Sequence, residues 1–313
     1  MTTSKAARIH SYGGPEAVRV EVEDLLARRD GQILVRVRDA GVNPVDWKIR
    51  SGYLRQVAPL TLPFTLGGDF SGVVEEAEPS VGFKAGDEVF GTAIVLAGGS
   101  GSFAEACLAP AGAVAAKPGS VSHAEAAALP LVGVSALQAL TEHLRVTAGQ
   151  HILIHGGTGG IGRVAVQLAK HLGARVATTV RADDIDYAKR LGADVVIDYR
   201  TQKFEEAVNN QDAVLDTVGG DTYARSFEVL KRGGRLVSMF EQPNRKLMSE
   251  HGVEASFLFT QVTVDRLAKL AKLVDQGALK VHVGETFPLN EASAALLRQE
   301  TDPPRGKIVL EIA

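Results

Sequence analysis

The sequence predicts an α/β protein that contains a doubly wound parallel sheet, preceded by a small β-rich, barrel-like domain. Three observations predict it. A strand–turn–helix–strand unit with glycines at its first turn fills residues 151–180, short apolar strands and helices then alternate to about residue 238, and residues 6–117 show short alternating runs without a long helical period. Strands alternating with helices of this length build parallel sheets, whereas closely spaced short strands build sandwiches or barrels.

In the first part, Ile33, Val35 and Val37 alternate with Leu34, Arg36 and Arg38. Turn residues punctuate it at 13–15, 29–31, 67–69 and 85–87. One helical segment interrupts it over residues 44–50, with Asn43 as N-cap and Pro44 at the first helical position. Ser122 and Glu125 have the spacing of a capping box ahead of an Ala-rich helix that Pro130 ends, which puts the domain change near Val121. A second helix, 132–144, leads into the glycine-rich unit.

In that unit Ile152 to Ile154 read as a buried strand. Val164, Leu168 and Leu172 recur at helical spacing, Gly173 stops the helix, and Val176 opens the next strand. Gly157, Gly159 and Gly162 fit G-x-G-x-x-G between strand and helix. Such a turn lets backbone N–H groups approach a pyrophosphate at the positive end of the helix, so residues 157–162, with Thr158, Gly160 and Ile161, are expected to bind a dinucleotide. The rival reading is that the glycines only let helix and strand pack closely.

The end of the second strand bears on which dinucleotide binds. An acidic residue about twenty positions past the glycines suits NAD, and a cation suits the 2′-phosphate of NADP. Here Thr178, Thr179 and Val180 are followed first by Arg181 and only then by Asp183 and Asp184. NADPH is therefore expected, with Arg181 and the Thr179 hydroxyl at the phosphate. Alternatively, Arg181 and the aspartates form a solvated loop and helix start, with Asp184 as a cap.

Helices at 184–191, 204–208 and 223–230 alternate with strands at 195–197, 214–216 and 236–238. Ligands of such sheets sit at the carboxyl ends of the strands, which marks Ser238 for the nicotinamide end. Residues 252–259 read as a last strand, and an unpaired edge there is expected to make the protein a homodimer. Leu267, Leu270, Ala271 and Val274 form a helix stripe, 292–297 another, and the tail 305–310 alternates like a strand returning to the first domain.

With 313 residues there is room for two domains. A net charge of -3 and the lack of a basic run give no sign of nucleic-acid or membrane-surface binding. Apolar runs are short and the first residues lack the core of a signal peptide, so a cytoplasmic protein is expected. Cys107 is the only cysteine, which leaves no internal disulfide and no cysteine-rich structural zinc lobe.

Six stretches in order resemble one family: 40–46 (Ala-Gly-Val-Asn-Pro-Val-Asp), 66–72 (Leu-Gly-Gly-Asp-Phe-Ser-Gly), 101–105 (Gly-Ser-Phe-Ala-Glu), 129–137 (Leu-Pro-Leu-Val-Gly-Val-Ser-Ala-Leu), the glycine-rich run, and 305–310 (Arg-Gly-Lys-Ile-Val-Leu). The chain resembles the medium-chain dehydrogenase/reductase superfamily, and within it the zinc-independent quinone oxidoreductases and alkenal or enone reductases. The resemblance implies a GroES-like β-barrel domain over 1–121, completed by a C-terminal return over 265–313. It also implies a Rossmann domain over 122–264 and an active site in the cleft between domains. Asp46 stands near the position of the first catalytic cysteine of the zinc branch and Gly68 at that of its histidine, so no metal site is expected.

The implied activity is NADPH-dependent reduction of a quinone or an α,β-unsaturated carbonyl. Negative charge then develops on the acceptor's oxygen, which needs a hydrogen-bond donor. Asn43, Lys48 and Tyr53 are the candidates, in a segment that resembles the family's substrate-side helix. Against these roles stand a cap for Asn43, a solvated surface cation for Lys48 and rim packing for Tyr53. Ser135 matches a family position near the nicotinamide and Tyr199 resembles an adenosine-side contact, while a helix serine bonding its own backbone is the rival for Ser135. For Asp46 the helix's first turn, for His155 a packed histidine, and for Asp216 a loop pin are the plainer readings. Alternative functions are an enoyl-thioester reductase and a non-catalytic NADPH-binding sensor or structural protein.

Overall fold

The computed structural model describes residues 3–25 and 27–312. They fall into two compact units: Met1–Leu131 with Val262–Gly277 and Val281–Ala313, and Val132–Gln261 with Ala278–Lys280.

The first unit is organised around its longest strand, Gln32–Val42. Ile33, Val35 and Val37 are completely buried, as period-two alternation requires of an inward face. Asp69–Glu76 and Ala106–Pro110 pair with this strand antiparallel. The tail strand Lys307–Glu311 does so as well, Ile308 opposite Val42 and Leu310 opposite Ala40. Glu88–Thr92 and Val114–Ala116 extend the sheet on one side, and Val283–Pro288 ends it on the other. A three-stranded sheet, Val18–Asp24, Thr3–Ile9 and Phe64–Thr65, completes the unit.

The boundary falls at Leu131 rather than near Val121. Helix His123–Ala127, opened by the capping box of Ser122 and Glu125, packs on strands Gln32–Val42 and Asp69–Glu76 and so belongs to the first unit. Pro130 does not end a helix either. It is the first residue of the next one, Pro130–Gln138, where a missing N–H leaves nothing unsatisfied.

The second unit holds six strands, all parallel: His151–His155, Arg175–Val180, Val195–Asp198, Gln211–Asp216, Leu230–Ser238 and Glu254–Phe257. Numbered along the chain, they lie in the order third, second, first, fourth, fifth, sixth. The direction of winding therefore reverses between the first and fourth strands, where ligands of such sheets bind. Ile152, Leu153 and Ile154 in the first strand are fully buried, each stabilising the unit by about 2 kcal/mol. Helix Gly160–His171 lays Val164, Ala165 and Leu168 inward. The fifth strand starts at Leu230, six residues before the apolar pair that betrays it, because Lys231 to Gly234 carry no strand pattern. Among the described residues no helix is long and apolar enough to cross a membrane.

Candidate active site and cofactor site

The turn between the first strand and helix Gly160–His171 shows what each glycine does. Gly156 has φ +70°, outside the range other residues favour. A Cβ on Gly157 would collide with the Thr178 hydroxyl, and one on Gly162 with the Gly156 carbonyl. These two let strand, turn and helix touch. At Gly159 a Cβ would meet only the Gly156 oxygen, at 3.2 Å, so the space over the turn is open there. Gly160, Ile161 and Gly162 form the helix's first turn, whose N–H groups have no partner four residues back. The packing role thus falls on Gly157 and Gly162, while Gly159 leaves open space over the turn.

The threonines of the second strand lie beneath this turn. Thr178 Oγ1 donates to the Ile154 carbonyl at 2.7 Å. Thr179 Oγ1 accepts from the Gly156 N–H at 3.2 Å and lies 3.1 Å from His155 Nδ1. Thr179 therefore braces the glycine turn and is not presented to a phosphate, since it is only 4 % exposed. Arg181, half exposed, follows it, with Nε 3.9 Å from Asp184 Oδ2, and Thr158 Oγ1 donates to the same carboxylate oxygen at 3.2 Å. Tyr199, exposed, begins the loop after the third strand, its N–H on the Val180 carbonyl at 3.2 Å.

At the fourth and fifth strand ends, Asp216 and Ser238 act as a pair. Ser238 Oγ donates to Asp216 Oδ2 at 2.7 Å and accepts the N–H groups of Phe240 and Glu241. Asp216 Oδ1 takes the N–H groups of Val218 and Gly219, both at 2.9 Å. Both hydroxyl and carboxylate are buried and spent on shaping two loops, so any contact of Ser238 with a ligand passes through its backbone. Ser135 is likewise buried, its Oγ 2.7 Å from Thr260 Oγ1. His155 is packed between Thr179 and Ser226, 3.0 Å from the Ser226 Oγ, and burial pushes its imidazole down to about 4. It is a neutral structural histidine.

In the first unit, Asn43, Asp46, Asp69 and Lys307 form one buried cluster. Asn43 N–H donates to Asp46 Oδ2 at 2.7 Å, which caps helix Pro44–Arg50, and Asn43 Nδ2 donates to Asp69 Oδ2 at 2.9 Å. Lys307 Nζ donates to Asn43 Oδ1 at 2.6 Å and to the Val42 carbonyl. Leu131 N–H adds a bond to Asp69 at 3.0 Å. Burial, partly offset by the Asn43 N–H and reinforced by the Asp69 charge, pushes Asp46 up to about 7. Burial raises Asp69 to about 6 against the pull of Lys307. Asp46 Oδ1 accepts no hydrogen bond from the described residues. Asn43 thus spends its amide inside this cluster. Lys48 and Tyr53 lie further along: the Lys48 ammonium is 5.7 Å from the Trp47 ring centre and 5.8 Å from that of Tyr53, and Tyr53 is 74 % exposed.

Residues 29–119 match the alcohol dehydrogenase GroES-like domain, and residues 191–310 match the domain of zinc-binding dehydrogenases. The quinone oxidoreductase of Coxiella burnetii is 33 % identical and superposes with a TM-score of 0.90 over 99 % of this chain and 100 % of its own. The chain belongs to the quinone oxidoreductase branch of the medium-chain dehydrogenase/reductase superfamily. Its relatives include the 2-methylene-furan-3-one reductase of Solanum lycopersicum, 36 % identical over 98 % of this chain and 78 % of that one. They also include the Escherichia coli quinone oxidoreductase solved with NADPH, 28 % identical, TM-score 0.86, covering 98 % of this chain and 99 % of its own.

The zinc of the superfamily's other branch does not fit this member. Asp46 is bonded into the cluster, Gly68 offers no ligand, and the Lys307 ammonium already supplies the buried positive charge. Among the described residues no group of three or more His, Cys, Asp or Glu side chains can hold a metal ion. A dinucleotide does fit, because the open space above Gly159 faces a helix's first turn. Sequence reasoning passed over Asp69 and Lys307 as chemistry. The available signal was a charge at the first, buried end of each of two strands whose middles are apolar, Asp69–Glu76 and Lys307–Glu311.

Proposed function

We propose that this protein is an NADPH-dependent reductase of quinones or α,β-unsaturated carbonyls that works without a metal. The observation that carries the reading is the open glycine turn at the sheet's point of reversal, backed by a whole-chain likeness to quinone oxidoreductases. NADPH is the cofactor. The first-turn N–H groups of residues 160–162 hold its diphosphate, Arg181 answers its 2′-phosphate, and Tyr199 flanks the adenosine. Ser135 and the loop shaped by Ser238 and Asp216 support the nicotinamide end.

Bound there, NADPH supplies a hydride from its nicotinamide ring. The chain supplies what the acceptor's oxygen requires as it turns negative, a hydrogen-bond donor and a proton. With Asn43 committed to Asp69 and Lys307, Lys48 and Tyr53 carry that role. The name of the tomato relative, a reductase of an unsaturated ketone, supports the enone side of the reading and that of the Coxiella protein the quinone side.

Steady-state oxidation of NADPH with a naphthoquinone, a short alkenal and an enoyl thioester tests it. Turnover with either of the first two is expected. Turnover with the thioester alone, or tight NADPH binding with no turnover, would replace this reading with one of the alternatives.

The sixth strand, Glu254–Phe257, is the edge of its sheet, and Phe259 just beyond it is 75 % exposed. We propose that this edge pairs with its own copy in a homodimer. Light scattering should give twice the chain's mass, and an Ala255→Pro variant, which removes an N–H that faces the open edge and adds a ring there, should shift it to the monomer.

A further inference from the structure

Arg181 lies 19 residues past Gly162, the last glycine of the turn, and Asp184 lies 22 past it, both near the spacing at which such sites read the adenosine ribose and at which a carboxylate holds its 2′-hydroxyl. Of the two, Asp184 is the more firmly held. It is only 7 % exposed, and its Oδ2 takes the hydroxyl of Thr158, inside the glycine turn itself, at 3.2 Å. Arg181, by contrast, is half exposed, with its Nε 3.9 Å from that oxygen. The acid is fixed against the turn and the base lies at the rim.

A carboxylate so placed accepts a hydrogen bond from a bare ribose hydroxyl and repels a phosphate on the same oxygen. Arg181 attracts the phosphate but is solvated, which weakens its pull. We propose that Asp184 sets the nucleotide preference of this protein, opposing the 2′-phosphate that Arg181 attracts, so that NADPH is favoured over NADH only modestly. The inference rests on the reading that the dinucleotide lies at the glycine turn. It predicts the opposite of a role in which Asp184 merely holds Arg181 in place, since that role would make its loss harmful to phosphate binding.

Calorimetric titration with adenosine 2′,5′-bisphosphate and with 5′-AMP separates the two. In Asp184→Asn the preference for the bisphosphate over AMP should rise about tenfold. Asp184→Ser should do the same, and the kcat/KM ratio of NADPH to NADH should follow. Arg181→Ala should lower the preference, and Asp183→Asn, a neighbour of equal charge on the exposed side, should change it by less than about twofold. An unchanged or lower preference in both Asp184 variants overturns the assignment, as does an equal rise in Asp183→Asn. Wild-type protein that binds neither nucleotide overturns the dinucleotide reading as well.

Discussion

Lys307, on the last strand, donates its ammonium to the side-chain oxygen of Asn43 at 2.6 Å, across 264 residues of sequence. The bond fastens the C-terminal strand to the start of the helix that carries Lys48, and it puts a positive charge beside two buried carboxyls. Removing that charge leaves the Asp69 carboxylate uncompensated. Lys307→Met should therefore cost about 3 kcal/mol in urea unfolding, and Asp69→Asn added to it should restore part of the loss. A single variant as stable as the wild type would show that the ammonium does not balance that carboxylate.

Asp46 gives a pH dependence of definite sign. Its pKa is raised on folding, so the folded state holds a proton that the unfolded chain has lost above about pH 4. The stability this proton confers is complete below the ordinary value of 3.8 and is lost as pH rises through about 7. Asp69 acts in the same direction over a window ending at about 6. Asp46→Asn cannot titrate. Its stability relative to wild type should grow by on the order of 2 kcal/mol between pH 4 and 8. Denaturation curves that stay parallel across that range would contradict a protonated Asp46.

His155 runs the other way. Its depressed pKa means that stability present above about 6.5 is lost as pH falls through about 4. His155→Gln should flatten the acid side of the wild-type stability profile while leaving the pH–rate profile above pH 6 unmoved. A kinetic inflection that disappears in this variant would place the histidine in the chemistry after all.

The glycines of the turn divide into two classes with opposite signatures. Gly157→Ala drives a methyl into Thr178 and should lower stability by about 1 to 3 kcal/mol. Gly159→Ala meets only a carbonyl at 3.2 Å and should change stability by less than about 1 kcal/mol. It should nevertheless weaken NADPH binding more than about tenfold by closing the space above the turn. Wild-type affinity in Gly159→Ala would move the diphosphate elsewhere.

What was legible in the sequence was local. The glycine turn, the Ser122 capping box and the apolar triplet of the first strand are contiguous patterns, and each lies where it was read. Thr179 was read as reaching a phosphate because its hydroxyl stands beside Arg181 at the end of the second strand. This strand lies inside a sheet where Thr178 and Thr179 are both buried, so both hydroxyls turn inward. The cluster of Asn43, Asp46, Asp69 and Lys307 was invisible because it joins three elements through contacts of long sequence separation. Pro130 misled because a proline marks a helix start as readily as a stop.

The central claim is that NADPH bound at this turn reduces carbon with no metal taking part. Its most direct test is to strip the purified protein of divalent ions, measure NADPH bound per chain, and then follow NADPH oxidation on adding a naphthoquinone or an alkenal. The account predicts one NADPH per chain and undiminished turnover. Failure to bind NADPH, or turnover that vanishes on stripping and returns with zinc, would contradict it.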